Sequence, residues 1–205
     1  ANHFRLTGNY HESVRFYQEA MNAASQSSHE ERSAIHHGIA SAYYEMYFHN
    51  TVHSHYLDSA GRHAVIAYAL ASEVDNSELI ADALNVQGAV EIHLEDYESA
   101  INTLEKAIQL IEAGDPANRL PPMANMSYAY FKTGQLQQAL EIAEEGYFTA
   151  LEAGNGVFAG INLENLVRIY NASNNEERAL HYQKMLNDLK DDKGMMVQSL
   201  VMKQQ

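Results

Sequence analysis

Asn125 and Asn165 stand at corresponding places in two helix-like segments, and Asn85 lies one place further back in a third. A carboxamide can donate and accept at once, which suits it to holding the backbone of an extended peptide. Tyr128 and Arg168 are again equivalent, three residues after Asn125 and Asn165, with Lys132 and His93 one turn along. An asparagine ladder with a cation beside it would take backbone amides and a carboxylate. Each such neutral bond contributes about 1 kcal/mol net, so several must act together. The competing use of the same asparagines is to fasten neighbouring helices to each other.

A second group is Phe48-His49-Asn50-Thr51-Val52-His53-Ser54-His55. His49, His53 and His55 could ligate zinc or nickel, the basis of a remote reading as a metal-dependent hydrolase. No HExxH pattern, cysteine or recurring carboxylate accompanies them, and the 11 histidines are scattered along the chain. A surface insertion or a dimer contact is therefore expected there, with no metal and no cofactor. His11-Glu12 and His29-Glu30 lack a second histidine four places after the first, and no glycine-rich phosphate loop or nucleophile elbow occurs. No enzyme activity is expected.

The elements that must carry these residues follow from a recurrence. Ala60, Ala100, Ala139 and Ala179 are 39–40 residues apart, each inside a helical phrase such as "ESAINTLEKAI" or "QQALEIAEEGY", and Ser13 extends the series backwards. A parallel mark falls at Ala40, Gly88, Ser127 and Val167. Two interlocked periods on helical patterns predict an all-α, right-handed α-solenoid of hairpins. The predicted divisions are a half repeat at 1–27, hairpins at about 28–73, 78–113, 119–152 and 157–190, and a capping or linker helix at 191–205. Between Ala40 and Ala60 the two rulers slip by eight residues, and the slip holds the histidine segment. The broken first repeat suggests a piece cut from a longer protein. In the tail, Met196 with Leu200 and Val197 with Val201 make one apolar stripe, suited to closing an open end.

Composition narrows the partners. The net charge is −14, from 27 acidic against 13 basic residues, and no basic run is long enough to follow a phosphate backbone, so this segment is not expected to bind nucleic acid. No stretch of about 18 apolar residues or signal-like leader occurs, so no membrane partner is expected. Zero cysteines fit a reducing cytoplasm.

The phrases resemble the tetratricopeptide repeat. Ala40 with Tyr43, Ser127 with Tyr130 and Val167 with Tyr170 match its small-then-Tyr pairs; Gly8, Gly134 and Asn174 match its turn. Glu91 departs from the pattern, standing where Tyr is expected. The longer period is similar to that of bacterial peptide-sensing regulators of the Rap type. The segment "LPPMANMSYAYFKTGQLQQALEIAEEGY" is the most similar to them. The resemblance implies a binding module, the sensor or interaction part of a larger bacterial regulator, with a peptide or protein segment in the groove lined by first helices. A self-associating scaffold, with a homodimer as partner, is the alternative.

Overall fold

The computed structural model describes residues 9–23, 28–49, 54–111 and 115–202. These residues form α1 (Tyr10–Ala23), α2 (His29–His49), α3 (Ser54–Glu73), α4 (Ser77–His93) and α5 (Tyr97–Ile111). A single 3-10 turn (Pro116–Arg119) follows, then α6 (Leu120–Lys132), α7 (Leu136–Glu152), α8 (Gly156–Ala172) and α9 (Glu176–Met202). The fold is all-α, as the two rulers predict, and no strand occurs among the described residues. The chain divides into two compact units, 1–114 and 115–205.

In the first unit each helix packs on the next in sequence, and α2 also touches α4. In the second, the same succession runs from α6 to α9, and α6 also touches α8. First helices of successive hairpins thus meet within each unit, giving each a layer of first helices. The 3-10 turn packs on α6 and α7. Asp115 accepts from the Ala117 amide at 2.9 Å and opens that turn, while Pro121 and Pro122 sit in the first turn of α6, where the missing N–H groups cost nothing.

The joints share one construction. Asp75, Glu95, Gly134, Gly154 and Asn174 all have positive φ, between 53° and 77°. Three of the intervals between them, 75 to 95, 134 to 154 and 154 to 174, are 20 residues. At each joint the following residue's amide reaches back to a helix carbonyl, as in Asn76 N to Ala71 O, Asp96 N to Glu91 O and Asn175 N to Tyr170 O. This is a Schellman closure, and it satisfies carbonyls that a helix end leaves open. The residue after the left-handed one then caps the next helix at four of the five. Asn76, Asp96, Asn155 and Asn175 accept from the amides of Leu79, Ser99, Phe158 and Arg178 at 3.1–3.3 Å.

The ruler residues are where the helices approach. Ser13, Ala40, Ala60, Ala100, Ser127 and Ala139 are fully buried. Ser127 on α6 donates to the Ala139 carbonyl on α7 at 3.0 Å, so one ruler mark is bonded directly to the other. The same device recurs between α2 and α3, where Ser33 donates to Ala67 O at 2.8 Å. Gly88 is bare because the fully buried Leu104 lies on it; a Cβ there would stand 2.6 Å from Leu104 Cγ. The second unit has one continuous core around Leu120, Leu163, Leu166, Ile169 and Tyr147. There Tyr170 stacks on Tyr182 with centroids 5.5 Å apart, and both hydroxyls donate to Glu144, at 3.4 and 3.3 Å, tying α7, α8 and α9 together.

Glu91 takes the place that Tyr43, Tyr130 and Tyr170 hold elsewhere. Its Oε1 accepts from Gln87 at 3.0 Å, while Oε2 is buried with no hydrogen-bond partner. At the C-terminus α9 runs without interruption through Lys190–Gly194 to Met202, and so into the segment expected as a capping or linker helix. Gly194 costs a helix about 1 kcal/mol relative to Ala, too little alone to end one. The stripe at Met196, Val197, Leu200 and Val201 lies outside the described side chains.

Candidate functional site

The expected groove residues fall on first helices in both units. Asn85 and His93 lie on α4; Asn125, Tyr128 and Lys132 lie on α6; Asn165 and Arg168 lie on α8.

In the second unit α6 and α8 present them side by side. Arg168 is about half exposed, with its guanidinium carbon 5.8 Å from the centre of the half-buried Tyr128 ring. It donates to Asn165 Oδ1 at 3.1 Å and lies 3.7 Å from Glu164. Asn125, half-buried, comes three places before Tyr128 on α6, and Lys132, exposed, comes four places after it. Asn165 is only 3% exposed, and its Nδ2 donates to the Ala124 carbonyl of α6 at 3.0 Å. Its carboxamide is thus spent between helices. The physical reason is its placement on the edge of α8 that faces α6, against Ala124. What this face offers a ligand is a cation held over an aromatic ring, with a second cation nearby. Such a pairing contributes about 0.5–1 kcal/mol at exposed sites and orients the guanidinium.

In the first unit His93 is also committed to a neighbour. Burial lowers its pKa, so the ring is neutral at pH 7. Burial raises that of Tyr44 to about 12, so the phenol keeps its proton. Tyr44 of α2 and His93 Nε2 share a hydrogen bond at 3.1 Å between two neutral groups. Tyr47 packs edge-on to the same imidazole, centroids 5.1 Å apart. Asn85 is half-buried, two helical turns before this contact.

Spacing alone does not reveal a cavity of about 330 Å³ in the first unit, between α1, α2 and α4. Tyr17 forms one wall, Ala34, Ile35, His37 and Gly38 another, and Leu79 with Asp82 the third. Gly38 is required there because a Cβ would overlap the Tyr17 phenol ring. Burial raises the Asp82 pKa, His37 opposes this, and Glu78 one turn earlier adds to it. The residue as a whole is still exposed to water. The available signal was register. His37 falls three places before its ruler mark, as Asn85 does, and Asp82 six places before, as Pro121 and Ile161 do.

The histidine segment divides differently. His49 shares a hydrogen bond with Tyr10 at 3.1 Å and stacks on it, and His55 lies against Tyr56 with centroids 4.2 Å apart. His53 lies outside the described residues. Among those described, no three His, Asp or Glu side chains converge as a metal site would need. A histidine pair the spacing did not suggest joins α2 to α3: His36 and His63 meet through their Nδ1 atoms at 2.8 Å.

Residues 79–150 match the family model of the tetratricopeptide repeat. No curated protein matches the chain. Among solved structures, it is similar to BtubC (BKLC) from P. vanneervenii, with a TM-score of 0.74 and 15% identity over 93% of this chain and 77% of that one. It is also similar to the nearly identical TPR-like repeats of a kinesin-light-chain candidate from Podosopora anserina. That structure gives a TM-score of 0.64 and 16% identity over 94% of this chain and 92% of that one. A substituted form of the same repeats gives 0.67 and 17% over 95% and 92%. At such identities the likeness establishes the fold, a tetratricopeptide-like helical repeat. Among the described residues no helix is long and apolar enough to cross a membrane.

Proposed function

We propose that the chain is a protein-interaction module that binds an extended peptide or protein segment along the face presented by its first helices. Tetratricopeptide repeats are generally protein-interaction modules, and the match over 79–150 supports that coarse class. The observation that carries the finer reading is Arg168 held over Tyr128, with Lys132 exposed on α6 one turn beyond that ring. Guanidinium and ammonium groups at that spacing suit a carboxylate or acidic segment, and the ring supplies apolar area for the residue beside it. The repeat phrases support placing the module within a bacterial regulator of the peptide-sensing kind, in the cytoplasm, with a change of ligand state passed to a neighbouring domain.

The test is binding of a fluorescent library of extended peptides to the full chain and to Arg168→Ala and Tyr128→Ala variants. Asn165 is unsuitable as a probe because its loss would loosen α8 from α6. Either variant should weaken the selected peptides roughly tenfold, about 1.4 kcal/mol, while keeping the helical circular dichroism of the parent. Unchanged affinity in both variants sinks the reading. Light scattering on the same samples separates peptide binding from a self-associating scaffold.

A further inference from the structure

We propose that the cavity between α1, α2 and α4 is a subsite for the cationic side chain of a lysine or arginine carried by a bound segment. The inference rests on the peptide-binding reading for the source of that cation, but not for the cavity's chemistry.

The shape comes first. Tyr17 is almost wholly buried, and its ring lies over Gly38, so its flank forms a rigid wall. Ala34 and Leu79 add apolar surface to the other two walls, from the neighbouring first helices. At about 330 Å³ the space is at the lower end of ligand pockets, enough for one long side chain with its solvent displaced. An unbranched alkyl stem suits such a slot, because Lys and Arg bury their methylenes along apolar surface while the charged head stays with polar groups.

The charge of the site selects the head group. Asp82 stands in the cavity wall. Glu78 precedes it by one turn on α4, and Glu30 precedes Ala34 by one turn on α2, where it accepts from Asn76 at 3.3 Å. His37 is the titratable group facing Asp82 from α2. Arg32 of the same helix acts on His36, and it is not among the groups that shift Asp82. The carboxylate of Asp82 is held partly out of water with that of Glu78 close by, a cost that His37 offsets only in part. A cation entering the cavity relieves that cost, while an anion would add to it. Tyr17 offers a ring wall to the same cation. The opposite pattern on α6 and α8, where Arg168 and Lys132 are displayed, shows that acidity is a local property of this cavity and not of every first-helix face.

Two measurements on the full chain test this. In the first, amide NMR spectra are followed during titration with N-α-acetyl-lysine methylamide, its arginine counterpart and the uncharged norleucine counterpart. Saturable shifts confined to residues 34–38 and 79–82 are expected with the two cations and not with norleucine. Asp82→Asn should weaken the cation response roughly tenfold, with unchanged thermal stability as the control that the cavity persists. Equal shifts with norleucine, or no saturable response to any of the three, overturn the subsite. In the second, library peptides selected on the parent protein are sequenced and retested on Asp82→Asn. Enrichment of Lys or Arg at one position, lost in that variant, supports the subsite. Selection without such enrichment overturns it while leaving the peptide-binding reading in place. If no peptide is selected, the peptide-binding reading fails, and the amino-acid titration still decides the cavity.

Discussion

The carboxamide of Asn162 on α8 occupies the space that a side chain on Gly146 of α7 would need. A Cβ built on Gly146 would stand 2.8 Å from Asn162 Oδ1 and 2.9 Å from Nδ2. Asn162 cannot swing aside cheaply: it is fully buried and its Nδ2 donates to Phe158 O at 2.9 Å. Gly146→Ala gains about 1 kcal/mol of helix propensity but overpacks this contact by about 1–3 kcal/mol. We expect a net loss of about 1 kcal/mol in urea denaturation. Adding Asn162→Ala should recover part of it, since the second change removes the obstacle. A Gly146→Ala protein as stable as the parent would show that the two helices part easily.

Asn165 is bonded at both ends of its carboxamide. Replacing it with Ala removes the donor to Ala124 O and the acceptor of Arg168. The expected destabilisation is about 1–3 kcal/mol, because the buried site also gains a small void. Hydrogen exchange should quicken first in α6 and α8. Uniform quickening across α7 and α9 as well would mean that the bond is not the local fastener described.

The joints allow a matched pair of substitutions. Gly134 has φ 77° and nothing within 4 Å of a built Cβ, so Gly134→Ala isolates the cost of the left-handed backbone, about 1 kcal/mol. Glu95 has φ 62° without glycine's freedom. Glu95→Gly should therefore raise stability by about 0.5–1 kcal/mol, the opposite sign at an equivalent position. Thermal melts of the two variants check this directly, and the same sign in both would refute it.

Acid should loosen the first unit through His36 and His63. Burial, then the charges of His36 and Arg62, lowers the His63 pKa from 6.5 to about 4; burial, then Arg32, lowers that of His36. Tyr43 covers the His63 ring at a centroid distance of 6.0 Å and adds no charge at these pH values. The unfolded chain binds protons near pH 6.5 while folded His63 resists them down to about pH 4. Stability is therefore fully present above pH 6.5 and is lost as the pH falls through that window. In His63→Gln the denaturation midpoint should fall less steeply between pH 6.5 and 4. An unchanged slope would assign the acid response to other groups.

The helical repeat was legible because most ruler marks, though not the half-buried Val167, are places where size is dictated from both sides. Ala100 and Ala139 are fully buried, and Ser127 is bonded to Ala139. The candidate site was less legible. Sequence puts Asn125 and Asn165 at one register, but register does not say whether a residue faces solvent or the adjoining first helix, and Asn165 faces Ala124. His93 was placed on the expected helix while its partner, Tyr44, lies 49 residues away. The cavity gave no motif because its walls come from three helices, and Tyr17 reaches it only through the bare surface of Gly38.

The left-handed joints have a consequence for how such a chain can change. Each is closed by backbone bonds, most with one capping side chain, so it carries no memory of which helix precedes it. Inserting two joints with their helices would return the chain to the same lining on the same side. Inserting one would exchange the two linings for everything downstream. Reach can therefore be lengthened or shortened only in even steps, and the joint itself acts as a counter that enforces parity.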